Sequence, residues 1–349
     1  MTQYTNLCAF FKENRMLYCC QNGKGGDDGV TIQKSSQRKP KNGRLKHLRS
    51  KHIDNIQLLI LALPAIVLLF VFCYIPMGGI ILAFKKFRVD LGIFDSPWVG
   101  FENFEFFFTS SDAWRVVRNT LGMNFLFILF TTVFSVLFAV MMYRLRGRRL
   151  VKTYQTITLM PSFLSWVVVG YMVYALLMPG PSGLINQIIM LFGGEPIDWY
   201  SQSGYWPVIL LVVKLWHGVG YNSLFYYASL MGIDKEYFEA AQLDGATKSQ
   251  ELRYIILPFL KPIIIVMTLL NIGNIFRADF GLFFNVPRNV GALYPTTDVV
   301  DTYVYRALTQ LGDVGMSAAV GLVQSLVGFV LILVTNLIVR KIDPESALF

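Results

Sequence analysis

Six apolar runs, at about 56–84, 120–142, 156–178, 206–231, 259–280 and 316–339, constrain this chain more than any other feature. A helix that crosses a bilayer needs about 20 mostly apolar residues, because its backbone N–H and C=O groups must bond one another where no water is available. Each run meets that length. Of 349 residues, 54% are apolar and only 15% charged, which makes lipid the expected solvent. The fold class expected is therefore an all-α integral membrane protein with six transmembrane helices over 55–349. The first run is long enough to tilt or bend at Pro64, Pro76 and Gly78-Gly79. Residues 1–54 hold only short apolar patches and a run of Lys and Arg up to Lys51, and read as a basic, disordered cytoplasmic tail near anionic lipid headgroups.

Orientation follows from charge in the short loops. The 143–153 loop carries Arg144, Arg146, Arg148, Arg149 and Lys152 with no acid, whereas 179–205 has no Lys or Arg. The first loop is thus placed in the cytosol and the topology is N-in/C-in. Lys85, Lys86 and Arg88 run against this bias, just outside the first helix. The outer connection after them carries Trp98, Phe101, Phe104, Phe106, Phe107, Phe108 and Trp114, a density of aromatics expected of a segment at the membrane interface. With the positive charge accounted for by loops and tail, lipid is the expected partner of the basic residues and nucleic acid is not. Cys8, Cys19, Cys20 and Cys73 lack CxxC spacing and read as reduced, incidental thiols.

The connection between the fourth and fifth runs, 232–258, is the most informative segment. Asp234 can cap a short helix from Lys235 to about Leu243, and Glu236 suits its positive N-terminal end. Ala240 and Ala241 leave a small surface that another protein can approach, and Gly245 can supply the left-handed turn after Asp244. On physical grounds alone, an interfacial loop helix and a docking element rank equally.

Glu239-Ala240-Ala241, three residues, Gly245, nine residues, Ile255, one residue, Leu257-Pro258 resembles the EAA motif of ABC importer permease subunits, with every fixed position and spacing kept. The resemblance runs from about Asn55 to the C-terminus. It implies a type I ABC importer permease architecture in which 232–258 is a coupling segment seated in a cleft of a cytoplasmic ATPase. Trp98-Val-Gly-Phe-Glu-Asn-Phe104 with Arg118-Asn-Thr120 is similar to the outer segment of carbohydrate-transporting members. Phe276 to Phe283 and Thr297 to Arg306 are similar to the aldouronate, or complex oligosaccharide, branch. The partners so implied are a second permease subunit in a heterodimer, an ATPase dimer and an extracellular sugar-binding lipoprotein, at the bacterial plasma membrane. No cofactor is expected on this chain, and ATP with Mg is assigned to the ATPase.

Ionisable and amide groups inside the membrane mark a solute path or a protein-facing surface. Lys214 and His217 share a face of the fourth helix, with Tyr221 and Asn222 near it; Asn271, Asn274 and Arg277 share a face of the fifth, with Asp279 near its outer end. These eight residues are candidates for a sugar path. The alternative of equal weight is that Lys214, Arg277 and Asp279 reach outward or pair with one another for assembly. On the sixth helix, Ser317, Gly321, Ser325 and Gly328 form a small-residue seam. Searches for GxxxxGK[ST], HExxH and GxSxG find nothing, and His47, His52 and His217 have no ligand-like neighbours. No catalytic or metal site is expected. Two alternative readings are a secondary transporter using Lys214, Arg277 and Asp279, and an assembly subunit that moves no solute. Among importers, an amino-acid or phosphate permease is the runner-up.

Overall fold

A computed structural model describes residues 59–145 and 147–342. The basic tail expected at 1–54, its three cysteines and Arg146 lie outside the described residues, as do the side chains of Phe106, Phe107 and Phe108. The chain divides into two compact units, 1–69 and 70–349. Of the first, 59–69 are described; they are helical and their apolar side chains are exposed. The described residues contain no strand, only the isolated bridges Lys85 to Trp98 and Arg88 to Gly92.

In chain order the main helices are α1 (Leu59–Phe84), α2 (Glu102–Thr109), α3 (Ser111–Arg144), α4 (Arg148–Leu159), α5 (Trp166–Leu176), α6 (Leu184–Leu191) and α7 (Trp206–Met231). They continue with α8 (Lys235–Leu243), α9 (Lys248–Gly273), α10 (Phe280–Asn285), α11 (Val300–Arg306) and α12 (Val314–Ile342). Among the described residues, five helices are long and apolar enough to span a bilayer, and a sixth span exists only if a bent pair is taken as one. That pair lies at 156–178, where a single helix is expected, and differs from it in being broken by a bend. The chain turns by 95° between Arg148–Phe163 and Trp166–Leu176. Pro161 sits in a tight 3-10 turn, Leu164 and Ser165 are extended, and the Ser165 hydroxyl accepts the Val168 N–H to start α5 afresh.

Expectation also fails at 259–280. The helix ends at Gly273, 274–279 are irregular, and α10 begins at Phe280. Asn271, Asn274 and Arg277 therefore do not share one helical face, because only Asn271 lies within α9, and Asp279 lies beyond the end of that helix. An interruption at membrane depth is tolerable only where protein groups bond the freed backbone. Asn124 of α3 donates to Ile275 O (2.7 Å) and Arg277 O (3.0 Å), and Gln324 of α12 donates to Phe276 O (2.8 Å). The Ala278 N–H donates to Asp301 of α11 (2.7 Å). Burial raises the Asp301 carboxyl from its ordinary value, a rise opposed by hydrogen bonds from Ala278 and Gln324.

Three buried clusters hold the larger unit. Met123, Phe127, Val169, Trp206 and Leu282 join α3, α5, α7 and α10. Val116, Val300 and Met316 join α3, α11 and α12. Val140, Tyr226, Ile233 and Leu260 join α3, α7 and α9 near the 232–258 connection. Of the expected seam, Gly328 meets the Gly273 carbonyl of α9 so closely that a Cβ would lie 2.6 Å from it, whereas Gly321 faces open space. The seam is thus in part an internal crossing.

Two of the three basic residues that oppose the charge bias, Lys85 and Arg88, have local explanations. Lys85 is buried, donates to the carbonyls of Ile93 (3.2 Å) and Phe94 (2.5 Å) and lies over the Trp98 ring. Arg88 pairs with Asp90 at 2.7 Å. The Lys86 backbone N–H bonds Pro97 O, part of the same folded connection.

Where α7 crosses α4, Gly220 is buried and a Cβ there would collide with the Thr158 carbonyl. Backbone cannot move aside as a side chain can. Gly220→Leu is expected to destabilise the chain by about 1–3 kcal/mol or more and to lower its thermal midpoint in detergent. Gly218→Ala, whose Cβ meets only the Asn222 amide at 3.6 Å, should leave it unchanged. Equal midpoints for the two variants would refute this crossing.

Candidate functional site

The 232–258 connection folds into a short helix with two finished ends. α8 begins after Asp234, whose backbone is extended but whose side chain makes no capping bond, contrary to the role expected of it. At the other end Gly245 adopts φ +74°. Its N–H bonds Gln242 O (3.1 Å), and Ala246 N–H bonds Ala241 O (2.9 Å). This is the paired closure that a left-handed residue after a helix permits. Thr247 and Gln250 then start α9 with a reciprocal capping box.

One side of α8 is anchored and the other is free. Phe238 contacts the Tyr143 ring of α3 at 5.8 Å, and Tyr237 contacts Phe259 of α9 at 5.5 Å. Ile233 is buried just before the helix, and Arg144 donates to Lys248 O at 2.6 Å just after it. Glu239, Ala240 and Asp244 are exposed, Ala241 is half-buried, and Leu243 is 89% exposed. Ile255 packs against the cluster near this end, while Leu257 and Pro258 are exposed on the rising helix. A π turn, Leu252–Ile256, leads into the Leu257-Pro258 step, where proline has no N–H to donate. The free face presents a carboxylate and small residues beside an apolar side chain, with links into α3 and α9 behind it.

The intramembrane candidates separate into two groups. Lys214 of α7 pairs with Asp279 at 2.7 Å, across the interruption between α9 and α10. Asp279 also accepts the Leu282 N–H and so caps α10. The Lys214 ammonium lies 5.6 Å from the Trp166 ring, which stacks on His217 at 4.1 Å. His217 Nε2 donates to Leu164 O (3.1 Å), the carbonyl released at the bend. Lys214, His217 and Asp279 thus bridge both helix interruptions. The other group is exposed: Asn271 and Asn274 bond the α9 carbonyls of Met267 and Leu270, Arg277 donates to Ser325 (3.0 Å), and Tyr221 stands against Phe225. Asn222 is half-buried and donates to Gly218 O.

Sequence reasoning missed a second polar centre, because its members lie up to 183 residues apart. Asp298 has no exposed side-chain surface and receives Arg306 at 2.7 Å, Arg115 at 3.3 Å and the Thr302 hydroxyl at 2.9 Å. Arg306 also lies 4.1 Å from the Tyr294 ring. The Tyr294 hydroxyl and Arg306 both donate to Asn289 Oδ1. Arg288 and Asn289 are consecutive non-glycine residues at positive φ (56° and 51°). Two local signals mark it: Asp298, Thr302 and Arg306 recur at four-residue spacing, and Pro-Arg-Asn at 287–289 marks a turn. Nearby, burial pushes the Tyr200 hydroxyl up to about 12, opposed by the Arg288 cation, and the hydroxyl donates to Val286 O at 3.3 Å.

Residues 132–344 match the family described as "Binding-protein-dependent transport system inner membrane component". Protein LplB of Bacillus subtilis (strain 168) is 32% identical over 289 residues, 83% of this chain and 90% of that protein. The polygalacturonan/rhamnogalacturonan transport system permease protein YteP of the same organism is 32% identical over 309 residues, 88% of this chain and 94% of that one. A chain of a crystallised bacterial ABC transporter involved in the import of the acidic polysaccharide alginate superposes with a TM-score of 0.76 at 30% identity, over 85% of this chain and 99% of that chain.

Proposed function

Because the chain belongs to the family of binding-protein-dependent transport system inner membrane components, we propose that it is the permease half of a bacterial ATP-driven importer that passes an oligosaccharide received from an extracellular binding protein. It is a multi-pass membrane transport subunit. The observation that carries the mechanism is α8, a helix anchored on one side by Phe238 and Tyr237 and open on the other at Glu239, Ala240 and Leu243. ATP with Mg is used by a separate ATPase dimer whose cleft receives this face. Glu239 offers a carboxylate to a basic group there, and Ala240 and Ala241 allow close approach. Displacement of α8 is passed to α3 through Tyr143 and to α9 through Phe259.

The exposed polar residues Tyr221, Asn271, Asn274 and Arg277 cannot face lipid without a large cost. They are assigned to the face that meets the solute path and a second permease subunit. Lys214, His217 and Asp279 support that path from behind by holding the two helix interruptions together, while Asn222 bonds only within α7. The carbohydrate assignment draws on the polygalacturonan/rhamnogalacturonan permease and the alginate importer to which the chain is similar. A secondary transporter would leave α8 and its finished turn without a task.

The test is to purify the chain with the proteins that accompany it from the membrane and to measure ATP turnover with and without oligosaccharide and binding protein. Co-isolation of an ATPase and a second permease, with saccharide-stimulated turnover, is expected. Uptake by the chain alone, driven by an ion gradient, would overturn the reading.

A further inference from the structure

A cavity of about 200 Å³ lies between α5 and the turn after α10, lined by Tyr171, Phe284, Asn285, Arg288 and Asn289. It is separate from the residues assigned above to coupling and to the polar path. Three observations give it chemistry. Arg288 is exposed, and no carboxylate pairs with it among the described residues; its guanidinium lies 4.1 Å from the Tyr174 ring and 5.6 Å from the Tyr171 ring. Arg288 donates no side-chain hydrogen bond among the described residues, so its N–H groups remain free in the forked arrangement that fits a carboxylate. The Asn285 side-chain amide donates to Gly281 O, but its Oδ1 accepts no bond among the described residues. Finally, the turn that presents Arg288 is strained at two successive residues and is held there by Tyr294 and Arg306 on Asn289. Such strain persists only where surrounding structure over-determines it.

We propose that this cavity is a subsite for one acid-bearing ring of the saccharide, with Arg288 reading its carboxylate, Tyr171 packing on the ring and the Asn285 carbonyl accepting from a hydroxyl. A cavity of this volume is smaller than the range of about 300 Å³ and upward that encloses a whole drug-sized ligand. It suits a single ring of a longer chain. The inference rests on the carbohydrate reading above and adds a requirement for negative charge. Neutral oligosaccharides lack the group that Arg288 is presented to receive.

The experiment uses the intact complex with its binding protein in lipid nanodiscs. Saccharide-stimulated ATP turnover is measured with trimers of galacturonate, mannuronate and guluronate and with the carboxyl-reduced, neutral form of each. At least one acidic trimer is expected to stimulate turnover at a concentration on the order of tenfold or more below that of its neutral form, the scale of one charge-assisted contact. Arg288→Gln should remove that preference and leave unstimulated turnover unchanged. Arg288→Lys, which keeps a charge without the fork, should retain part of it. Equal response to acidic and neutral forms, or stimulation by neutral trimers only, overturns the subsite and leaves the carbohydrate reading standing. No stimulation by any saccharide defeats both. Loss of the second permease or the binding protein from the Arg288→Gln complex would assign the arginine to a protein contact and overturn the proposal.

Discussion

Gly245→Val is expected to abolish saccharide-dependent ATP turnover and uptake while the membrane-embedded bundle stays folded. The position has φ +74°, where a β-branched residue is strongly disfavoured, and both closing bonds of α8 depend on that conformation. A Cβ at Gly245 would meet nothing within 4 Å, so the penalty falls on the backbone of the turn and not on packing. The end of α8 would rewind, moving Glu239 and Leu243 relative to the anchors Tyr237 and Phe238. Ala241→Trp attacks the same contact by bulk, on a half-buried position of the docking face. Both purified complexes should retain the second permease and lose either the ATPase or the link between its turnover and transport. Wild-type ATPase retention, turnover and uptake in both variants would reduce 234–246 to a connecting loop.

Asp298→Ala should cause the largest loss of stability of any single change considered. The carboxylate is fully buried between two guanidinium groups, and Arg115 Nε already has no hydrogen-bond partner. Removing the anion leaves Arg306, with only 13% of its side chain exposed, beside a second cation. Breaking a buried ionic group in this way costs about 3–5 kcal/mol. The thermal midpoint of the protein in nanodiscs should fall sharply, and Arg306→Met in the same chain should restore part of the loss by removing one uncompensated charge. Arg88→Ala, at an exposed pair, should change the midpoint little, as surface pairs contribute about 0–1 kcal/mol. A midpoint for Asp298→Ala equal to that of Arg88→Ala would show that the triad does not hold α3 and α11 together.

The parts legible in the sequence were those encoded by near neighbours. The run at 206–231 becomes α7 over those same residues, and the helix expected from Lys235 to about Leu243 forms with those bounds. Gly245 takes the left-handed turn expected of it, since only four or five neighbouring residues are needed to close it. The two failures in the spans carried local signals that apolarity outweighed. Pro161 and Ser165 mark the bend, and Gly273-Asn274 marks the early end of α9. Mean hydropathy over a window cannot register a break that leaves composition unchanged.

The sequence by itself determined that the chain lives in lipid, how many long apolar segments it offers, and where a short helix with an exposed Glu-Ala-Ala face must stand, because length, apolarity and turn chemistry are local properties. Tertiary structure alone decided which polar groups meet. Lys214 finds Asp279 across 65 residues, Asn124 bonds backbone freed 151 and 153 residues away, and Arg115 reaches Asp298 across 183. The physical reason is that lipid offers no hydrogen bonds. Each buried charge and each interrupted carbonyl must find a partner on another helix, and that choice is made by packing over distances that no local pattern records.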